Sequence, residues 1–213
     1  MIVDNTEQIK KLIDNCGPGE FYMLNILHRG KDGKTPYEPA DKKISQQMIK
    51  TYYVSSAEYL EHKMPEIRDL CHLFNARAVI NLNKKSWRRV ALEAISILTS
   101  CLMKEDKEEK WWKDVKSVID SACGQTGACD GNKVWLVDLD SKNENQIELI
   151  KSAVNQCPPF KYEDKVVAVV PTKSGYHILT RPFNQMDFKK LYPEKIDIHE
   201  NNPTVLYAFS KTE

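Results

Sequence analysis

The chain has 213 residues, with 31 lysines and arginines against 30 aspartates and glutamates, so its formal net charge is +1. That length suits one large domain or two small joined modules. The near-zero charge excludes a generally basic protein, so any contact with a polyanion must come from a local patch. Its apolar stretches fall short of the roughly 20 residues that a membrane span needs, and the acidic, amphipathic N-terminus does not read as a signal peptide.

The cysteines indicate a reduced protein. Six are present, and no pair has Cys-x-x-Cys spacing. Cys71 and Cys101 fall on the apolar faces of predicted helices, where a thiol behaves as a small hydrophobic group, which predicts a cytoplasmic location. Cys123 and Cys129 lie in one glycine-rich loop that Cys157 could join, so a structural zinc site is the alternative interpretation of these three.

The first 130 residues alternate between helical and strand patterns. Helices are predicted at 9–16, 55–74, 86–98 and 111–122, and strands at 21–27, 48–54 and 77–82. Ser55 and Glu58 have capping-box spacing, and Pro65 is expected to begin a further helical segment. Asn83 or Ser86 is expected to cap the next helix. We therefore predict an N-terminal α/β module over residues 1–130.

Positive charge is concentrated where the helix that carries Trp87 is predicted to begin. The cluster consists of Lys84, Lys85, Arg88 and Arg89. Cations at a helix N-terminus oppose the helix dipole, and natural sequences tolerate this where an anion is bound. The cluster is therefore either a solvated face or a surface for a nucleic-acid backbone. Residues 28–34 form a second basic stretch that would serve the same purpose.

From Val134 onward the pattern becomes β-α-β-β-α-β. Strands are predicted at 134–140, 166–170, 176–181 and 204–209, with helices between the first two and at 184–191. This order is that of the ferredoxin-like or RRM-like plan, a four-stranded antiparallel sheet with two helices on one face. The predicted fold class is α+β, with the N-terminal α/β module followed by an RRM-like module over residues 131–213. One continuous fold is the alternative.

Asp138 and Asp140 end the first strand of this second module. Alternate residues of a strand share a face, and their Cα atoms lie roughly 6.5 Å apart. Two carboxylates on one face repel each other unless a cation such as Mg²⁺ or Mn²⁺ lies between them. The first and third strands of the predicted sheet are central neighbours, so His177 on the third strand is expected beside both acids.

Three short motifs resemble those of the archaeo-eukaryotic primase superfamily, which contains primases and primase-polymerases. They are Leu136-Val137-Asp138-Leu139-Asp140, Ser174-Gly175-Tyr176-His177 and Ile196-Asp197. The superfamily pattern is an apolar strand ending in Asp-x-Asp, then a small-x-His element, then a hydrophobic-Asp element. The resemblance implies a metal-dependent nucleotidyltransferase similar to a DNA primase catalytic core.

On this resemblance, Asp138, Asp140 and Asp197 would bind Mg²⁺ or Mn²⁺, with Asp187 competing for the third position. His177 would contact the triphosphate of the incoming nucleotide, with Ser174 beside it. The turn before His177 is shorter than in many superfamily members, so Lys173 or Arg181 would have to supply positive charge. The implied partners are nucleoside triphosphates, a single-stranded nucleic-acid template, and a helicase or other replication protein.

Other functions fit the same residues. A non-catalytic RRM-like protein would bind nucleic acid through aromatic residues on its central strands, where Trp135 and Tyr176 are predicted. Strand alternation places Trp135 on the face opposite Asp138, and carboxylates in mid-sheet repel phosphate, which disfavours that function. A metal-dependent nuclease would use the same acids in the same in-line displacement. An inactive relative with a structural role is a further alternative.

Overall fold

The computed structural model describes residues 2–30, 46–103, 115–125 and 133–209, which form a mixed α+β fold with two antiparallel sheets and six α-helices. The strands are β1 (Ile2–Asp4), β2 (Glu20–Arg29), β3 (Gln46–Val54), β4 (Arg77–Ile80), β5 (Lys85–Ser86), β6 (Trp135–Leu139), β7 (Val166–Pro171), β8 (Tyr176–Thr180), β9 (Asp197–His199) and β10 (Thr204–Phe209). The helices are α1 (Thr6–Lys10), α2 (Ala57–Phe74), α3 (Trp87–Leu102), α4 (Val118–Gly124), α5 (Glu144–Gln156) and α6 (Gln185–Leu191). Within these four residue ranges, no helix has the length and hydropathy to cross a bilayer.

The larger sheet has the strand order β1-β10-β4-β2-β3, and the short β5 pairs with β2. Alternation along β2 divides its side chains between two layers. Leu24 and Ile26 belong to the core that α1 and α2 cover, whereas Phe21 and Met23 belong to a second core under α3 and α4. The sheet is therefore buried on both faces, which explains why β2 is an almost continuous apolar run.

The smaller sheet has the strand order β7-β8-β6-β9. On one face, Val137 and Ile178 pack with residues of α5 and α6. On the other face, Leu136, Val170 and Leu179 join the core of the larger sheet. The two sheets consequently share one hydrophobic core, and the second face of the smaller sheet is directed towards the larger one.

The last strand lies in a different sheet from the one predicted. The segment 204–209, expected to complete the C-terminal module, is β10, which lies between β1 and β4 of the larger sheet. The fourth strand of the smaller sheet is instead the short β9. All residues from Thr204 to Tyr207 are buried, as suits an interior strand, whereas β9 is a three-residue edge strand with its first residue exposed. The predicted boundary between residues 130 and 131 lies outside the described residues.

Two details of the helices also differ from the predictions. Ser56, not Ser55, is the N-cap of α2, and its side chain accepts a hydrogen bond of 3.1 Å from the backbone N–H of Tyr59. Pro65 lies inside α2 and does not begin a new segment. Its side chain is exposed, on the solvent face where a helix tolerates a missing hydrogen bond most easily. The predicted helix at 111–122 lies partly outside the described residues.

Candidate functional site

One row of polar side chains crosses the middle of the smaller sheet. Asp138 of β6 is the antiparallel partner of His177 on β8 and of Asp197 on β9. Directly paired residues point to the same face, with Cα atoms about 4.5–5.5 Å apart. The expected adjacency of Asp138 and His177 on neighbouring central strands is therefore confirmed, while their roles stay predictions.

This row faces the larger sheet, at the edge of the shared core. Leu136 and Leu179 lie on the same face of the same strands and are buried in that core. The Asp138 side chain remains 34% exposed, and that of His177 14% exposed. The acids are thus open to solvent where the two sheets meet, and the more deeply buried histidine lies beside them. We call this place, defined by Asp138, Asp140, Asp197 and His177, the cleft.

His177 has a polar neighbour at each ring nitrogen. Its Nδ1 lies 3.0 Å from the hydroxyl oxygen of Thr204, the buried first residue of β10. Its Nε2 lies 3.6 Å from Oδ1 of Asp138, which is near enough for electrostatic attraction but long for a hydrogen bond. Because β10 belongs to the larger sheet, the imidazole ring bridges the two sheets.

The surroundings of His177 keep its ring neutral at pH 7. Burial lowers the pKa of His177 to about 4, the charges of His199, Arg29 and Arg77 act in the same direction, and that of Asp140 opposes them. A neutral imidazole has a single N–H, and the nearby Asp138 carboxylate favours that N–H on Nε2. The Thr204 hydroxyl then donates to Nδ1. This tautomer presents a hydrogen-bond donor to any anion that enters the cleft.

The turn before His177 packs against the end of the acidic strand. A Cβ atom on Gly175 would lie 1.9 Å from the carbonyl oxygen of Leu139, so only glycine fits there. The Gly175 backbone N–H donates to the Thr172 hydroxyl at 3.0 Å, which stabilises the turn. Its tip brings Ser174 to Asp140, and the Ser174 hydroxyl donates to Oδ1 of Asp140 at 3.2 Å.

The two candidates for the third acid lie on opposite sides of the smaller sheet. Asp197 is exposed and in register with Asp138. Asp187 is on α6, which packs on the other face, and it forms an ion pair of 2.8 Å with Lys190. The geometry therefore favours Asp197 over Asp187 as the neighbour of Asp138.

The acids fit a hard cation by their chemistry. Asp138, Asp140 and Asp197 offer carboxylate oxygens, the ligands that Mg²⁺ and Mn²⁺ prefer. Within the described residues, however, no group of three or more His, Cys, Asp or Glu side chains stands ready to hold a metal ion. The strands bring the acids into adjacent positions, and their side chains would have to converge on an ion.

Two predicted basic residues lie in different places. Lys173 is exposed in the turn next to Ser174, near the acids. Arg181 follows the far end of β8, where its guanidinium lies over the ring of Tyr162. The structure therefore does not bring Arg181 to the acids. The charges of Arg29 and Arg77 act on His177 instead.

Sequence reasoning gave no role in the site to Arg77 or His199. Alternation along β9 places His199 on the same face as Asp197, and the pattern Asp-x-His was the available signal. Arg77 begins β4, in the larger sheet. Its proximity to His177 depends on how the two sheets pack, which no local pattern encodes.

The basic cluster predicted to bind nucleic acid is not presented as one surface. Lys85 is fully buried, and its ammonium donates to Oδ1 of Asn201 at 3.2 Å. Lys84 lies 3.6 Å from a carboxylate oxygen of Glu20. The cause is β5, which pairs with the start of β2 and draws Lys85 inward. The other two members of the cluster, Arg88 and Arg89, are exposed in the first turn of α3.

Of the three cysteines considered for zinc, the two in the described residues lie in different cores. Cys123 is buried in the core under α3 and α4, and burial raises the pKa of its thiol to about 11. Cys157 is buried in the core beneath α5 and α6, where its Sγ donates to the Ala153 carbonyl oxygen at 3.1 Å. Cys129 lies outside the described residues.

Comparisons with known proteins found no relative of this chain. No protein-family model, no curated protein and no solved structure matches the chain. The interpretation of the cleft therefore depends on the geometry and chemistry of its own residues.

Proposed function

We propose that the protein is a metal-dependent nucleotidyltransferase of the primase type, with its active site in the cleft at Asp138. One observation carries the proposal: Asp197, Asp138 and His177 form a single row across three adjacent strands. These residues come from the three separate motifs that resemble the primase superfamily. The strand order β7-β8-β6-β9, with two helices on one face, agrees with a ferredoxin-like arrangement and supports the same proposal.

Each side chain of the site has a part in binding a nucleoside triphosphate. Asp138, Asp140 and Asp197 supply oxygen ligands for Mg²⁺ or Mn²⁺, and Ser174 orients Asp140 through its hydroxyl. Bound cations stabilise the attacking and leaving oxygens of an in-line displacement. The neutral His177 donates its Nε2–H to a phosphate oxygen.

The substrates and partners follow from this chemistry. Nucleoside triphosphates enter the cleft between the sheets, and a single-stranded nucleic acid serves as template. The positive charges of Arg29 and Arg77, which already act on His177, offset part of the triphosphate charge. A helicase or another replication protein is the proposed macromolecular partner.

The packing disfavours the non-catalytic RRM-like alternative. Trp135 and Tyr176, the aromatic residues of the central strands, pack against the core beneath α5 and α6. The opposite face of the sheet shares a core with the larger sheet. RNA recognition on an open sheet needs accessible aromatic rings on the central strands, and these strands direct theirs towards the helices.

Calorimetric titration of Mn²⁺ and a nucleoside triphosphate tests the site directly. We expect the wild type to bind both, and the double variant Asp138→Asn/Asp140→Asn to lose the metal. Asp187→Asn is the matched control, because this acid lies on the helix-covered side of the sheet and pairs with Lys190. Undiminished metal binding by the double variant would refute the proposed site.

Strand synthesis separates a polymerase from a nuclease that uses the same acids. The protein is incubated with Mn²⁺, the four nucleoside triphosphates and an end-labelled single-stranded template. Primase-type activity yields new strands of defined length while the labelled template stays intact. Shortening of the template without any new strand would establish the nuclease instead.

A further inference from the structure

An exposed surface of aromatic and basic side chains lies beyond the far end of β8. We call it the aromatic-basic surface. Its outer members are Phe160, Lys161, Tyr162 and Arg181, and the buried Lys165 contacts the Phe160 ring from inside. The Phe160 side chain is 71% exposed, although it is a large apolar group. Single exposed apolar side chains are common on protein surfaces, and what distinguishes this one is the set of cations around it.

The segment that carries Phe160 is anchored at both ends. The backbone N–H of Asn184 donates to the Pro158 carbonyl oxygen at 2.7 Å, and that of Arg181 donates to the Lys165 carbonyl oxygen at 2.7 Å. Lys165 is fully buried, and its ammonium donates to the Asn155 carbonyl oxygen at 3.1 Å. The exposed ring is therefore presented by a fixed support.

Cations alternate with the aromatic rings on this surface. The Lys165 ammonium lies 5.2 Å from the centre of the Phe160 ring, and the Arg181 guanidinium lies 5.6 Å from that of Tyr162. The Lys161 ammonium lies 5.5 Å from the Tyr162 ring. All three distances are within the range of cation–π attraction.

Two acids adjoin the surface, and one of them is engaged. Oδ1 of Asp164 accepts hydrogen bonds from the Asn155 amide at 3.0 Å and from the Val166 backbone N–H at 2.8 Å. Glu163 is exposed. Lys161 and Arg181, together with the buried Lys165 behind them, give three cations against these two acids, so the local charge is net positive.

We propose that the aromatic-basic surface binds single-stranded nucleic acid. A base stacks on Phe160, while Arg181 and Lys161 contact the flanking phosphates. Stacking platforms with interleaved cations bind single strands with little sequence preference, because every base has a π-face. A pocket of a protein partner would accept Phe160 but would not need the cations around both rings.

The position of the surface connects it to the proposed active site. Strand β8 (Tyr176–Thr180) carries His177 near its start, so Arg181 lies about 13 Å along the chain direction from His177. A strand that stacks on Phe160 can therefore continue towards the cleft. Only the continuation of the strand towards the cleft rests on the proposed function. Binding of the strand to the aromatic-basic surface requires neither metal nor nucleotide.

Fluorescence anisotropy with a labelled 12-mer of oligothymidylate tests the surface, in EDTA and without nucleotide. We expect Phe160→Ala to weaken binding at least about 5-fold, from the usual loss of one stacked base. An abasic 12-mer, which keeps the phosphates, should bind this variant and the wild type equally. Arg181→Gln should weaken the binding of both strands. Met186→Ala is the control, since Met186 is 77% exposed on α6. This variant should bind oligothymidylate and the abasic strand like the wild type.

The outcomes separate this proposal from the proposed function. If Phe160→Ala binds oligothymidylate like the wild type, or if the wild type does not bind it, the surface serves a protein partner or none, and the proposal fails. Equal losses on the abasic strand also overturn it, because stacking is then not involved. Asp138→Asn/Asp140→Asn should bind the strand normally, so failure of the metal site leaves this result intact. Circular dichroism of each variant establishes that it is folded.

Discussion

At the scale of single residues, the cleft depends on how His177 is held. Thr204 fixes Nδ1 at 3.0 Å, and the Asp138 carboxylate lies 3.6 Å from Nε2. Because the Asp138 carboxylate lies nearer to Nε2, we assign the proton of the neutral ring to that nitrogen. The proposed contact with phosphate requires that proton, so the hydroxyl of Thr204 positions the donor without touching the substrate.

Removing the Thr204 hydroxyl should allow the proton of His177 to move from Nε2 to Nδ1. Thr204→Val keeps the volume but leaves Nδ1 without its donor, so we expect a substantial population of the Nδ1–H tautomer in ¹⁵N NMR spectra of the metal-free protein. We also expect a loss of about 1–3 kcal/mol in unfolding free energy, the usual cost of an unsatisfied buried polar group. Thr204→Ser should retain the wild-type tautomer. An unchanged ring spectrum in the valine variant would show that Thr204 does not set the proton position.

The depressed pKa of His177 should make stability sensitive to acid. The unfolded chain binds a proton at this residue below pH 6.5, whereas the folded protein binds it only near pH 4. As the pH falls, the unfolded state therefore binds this proton before the folded state does. The unfolding free energy consequently decreases between pH 6.5 and pH 4. Denaturant unfolding of wild type and His177→Gln at pH 7 and 4.5 should show an excess loss of about 2 kcal/mol for the wild type. Parallel pH profiles of the two proteins would show that burial of His177 is not the cause of the acid sensitivity.

At the scale of elements, the turn between β7 and β8 holds the second motif against the first. Gly175→Ala places a Cβ atom against the Leu139 carbonyl oxygen, so the turn must move away from β6. We expect a loss of about 1–3 kcal/mol in unfolding free energy and weaker Mn²⁺ binding, because Ser174 leaves Asp140. Gly124→Ala is the control, since a Cβ there meets nothing within 4 Å. Equal stability of the two variants would show that the turn does not pack against β6.

The strands also show what a sequence can and cannot predict. The adjacency of Asp138 and His177 was predictable, since both lie in clearly patterned strands whose order follows from β-α-β-β. The position of β10 was not, because an apolar run such as 204–209 fits the interior of either sheet. Lys85 was misjudged because its burial depends on the pairing of the two-residue β5 with β2, which local sequence does not specify.

At the scale of the whole molecule, the two sheets are joined by one core and by one strand. Leu136, Val170 and Leu179 of the smaller sheet are buried with residues of the larger one. β10, which follows β9 in the chain, is paired on both sides within the larger sheet. The cleft with its acids exists only where these two sheets meet, so the site depends on their joint folding.

Hydrogen exchange tests this dependence. We expect the slowest amides of β6 and β8 to exchange with the same opening free energy as those of β2 and β4, because the shared core is lost in one transition. Leu179→Ala should lower the opening free energies of the two sheets by a similar amount, within the usual range of about 2–5 kcal/mol for such a truncation. If only the smaller sheet is affected, the two sheets unfold as independent units and the account of a shared core is wrong.

The central claim is that Asp138, Asp197 and His177 together hold a metal-bound nucleotide in the cleft. The most direct measurement is a crystal structure of the protein with Mn²⁺ and a non-hydrolysable nucleoside triphosphate, using the anomalous signal of manganese. We predict a peak bonded to carboxylate oxygens of Asp138 and Asp197, with a phosphate oxygen within hydrogen-bond distance of Nε2 of His177. Manganese and triphosphate bound elsewhere, with the row of acids unliganded, would contradict this claim.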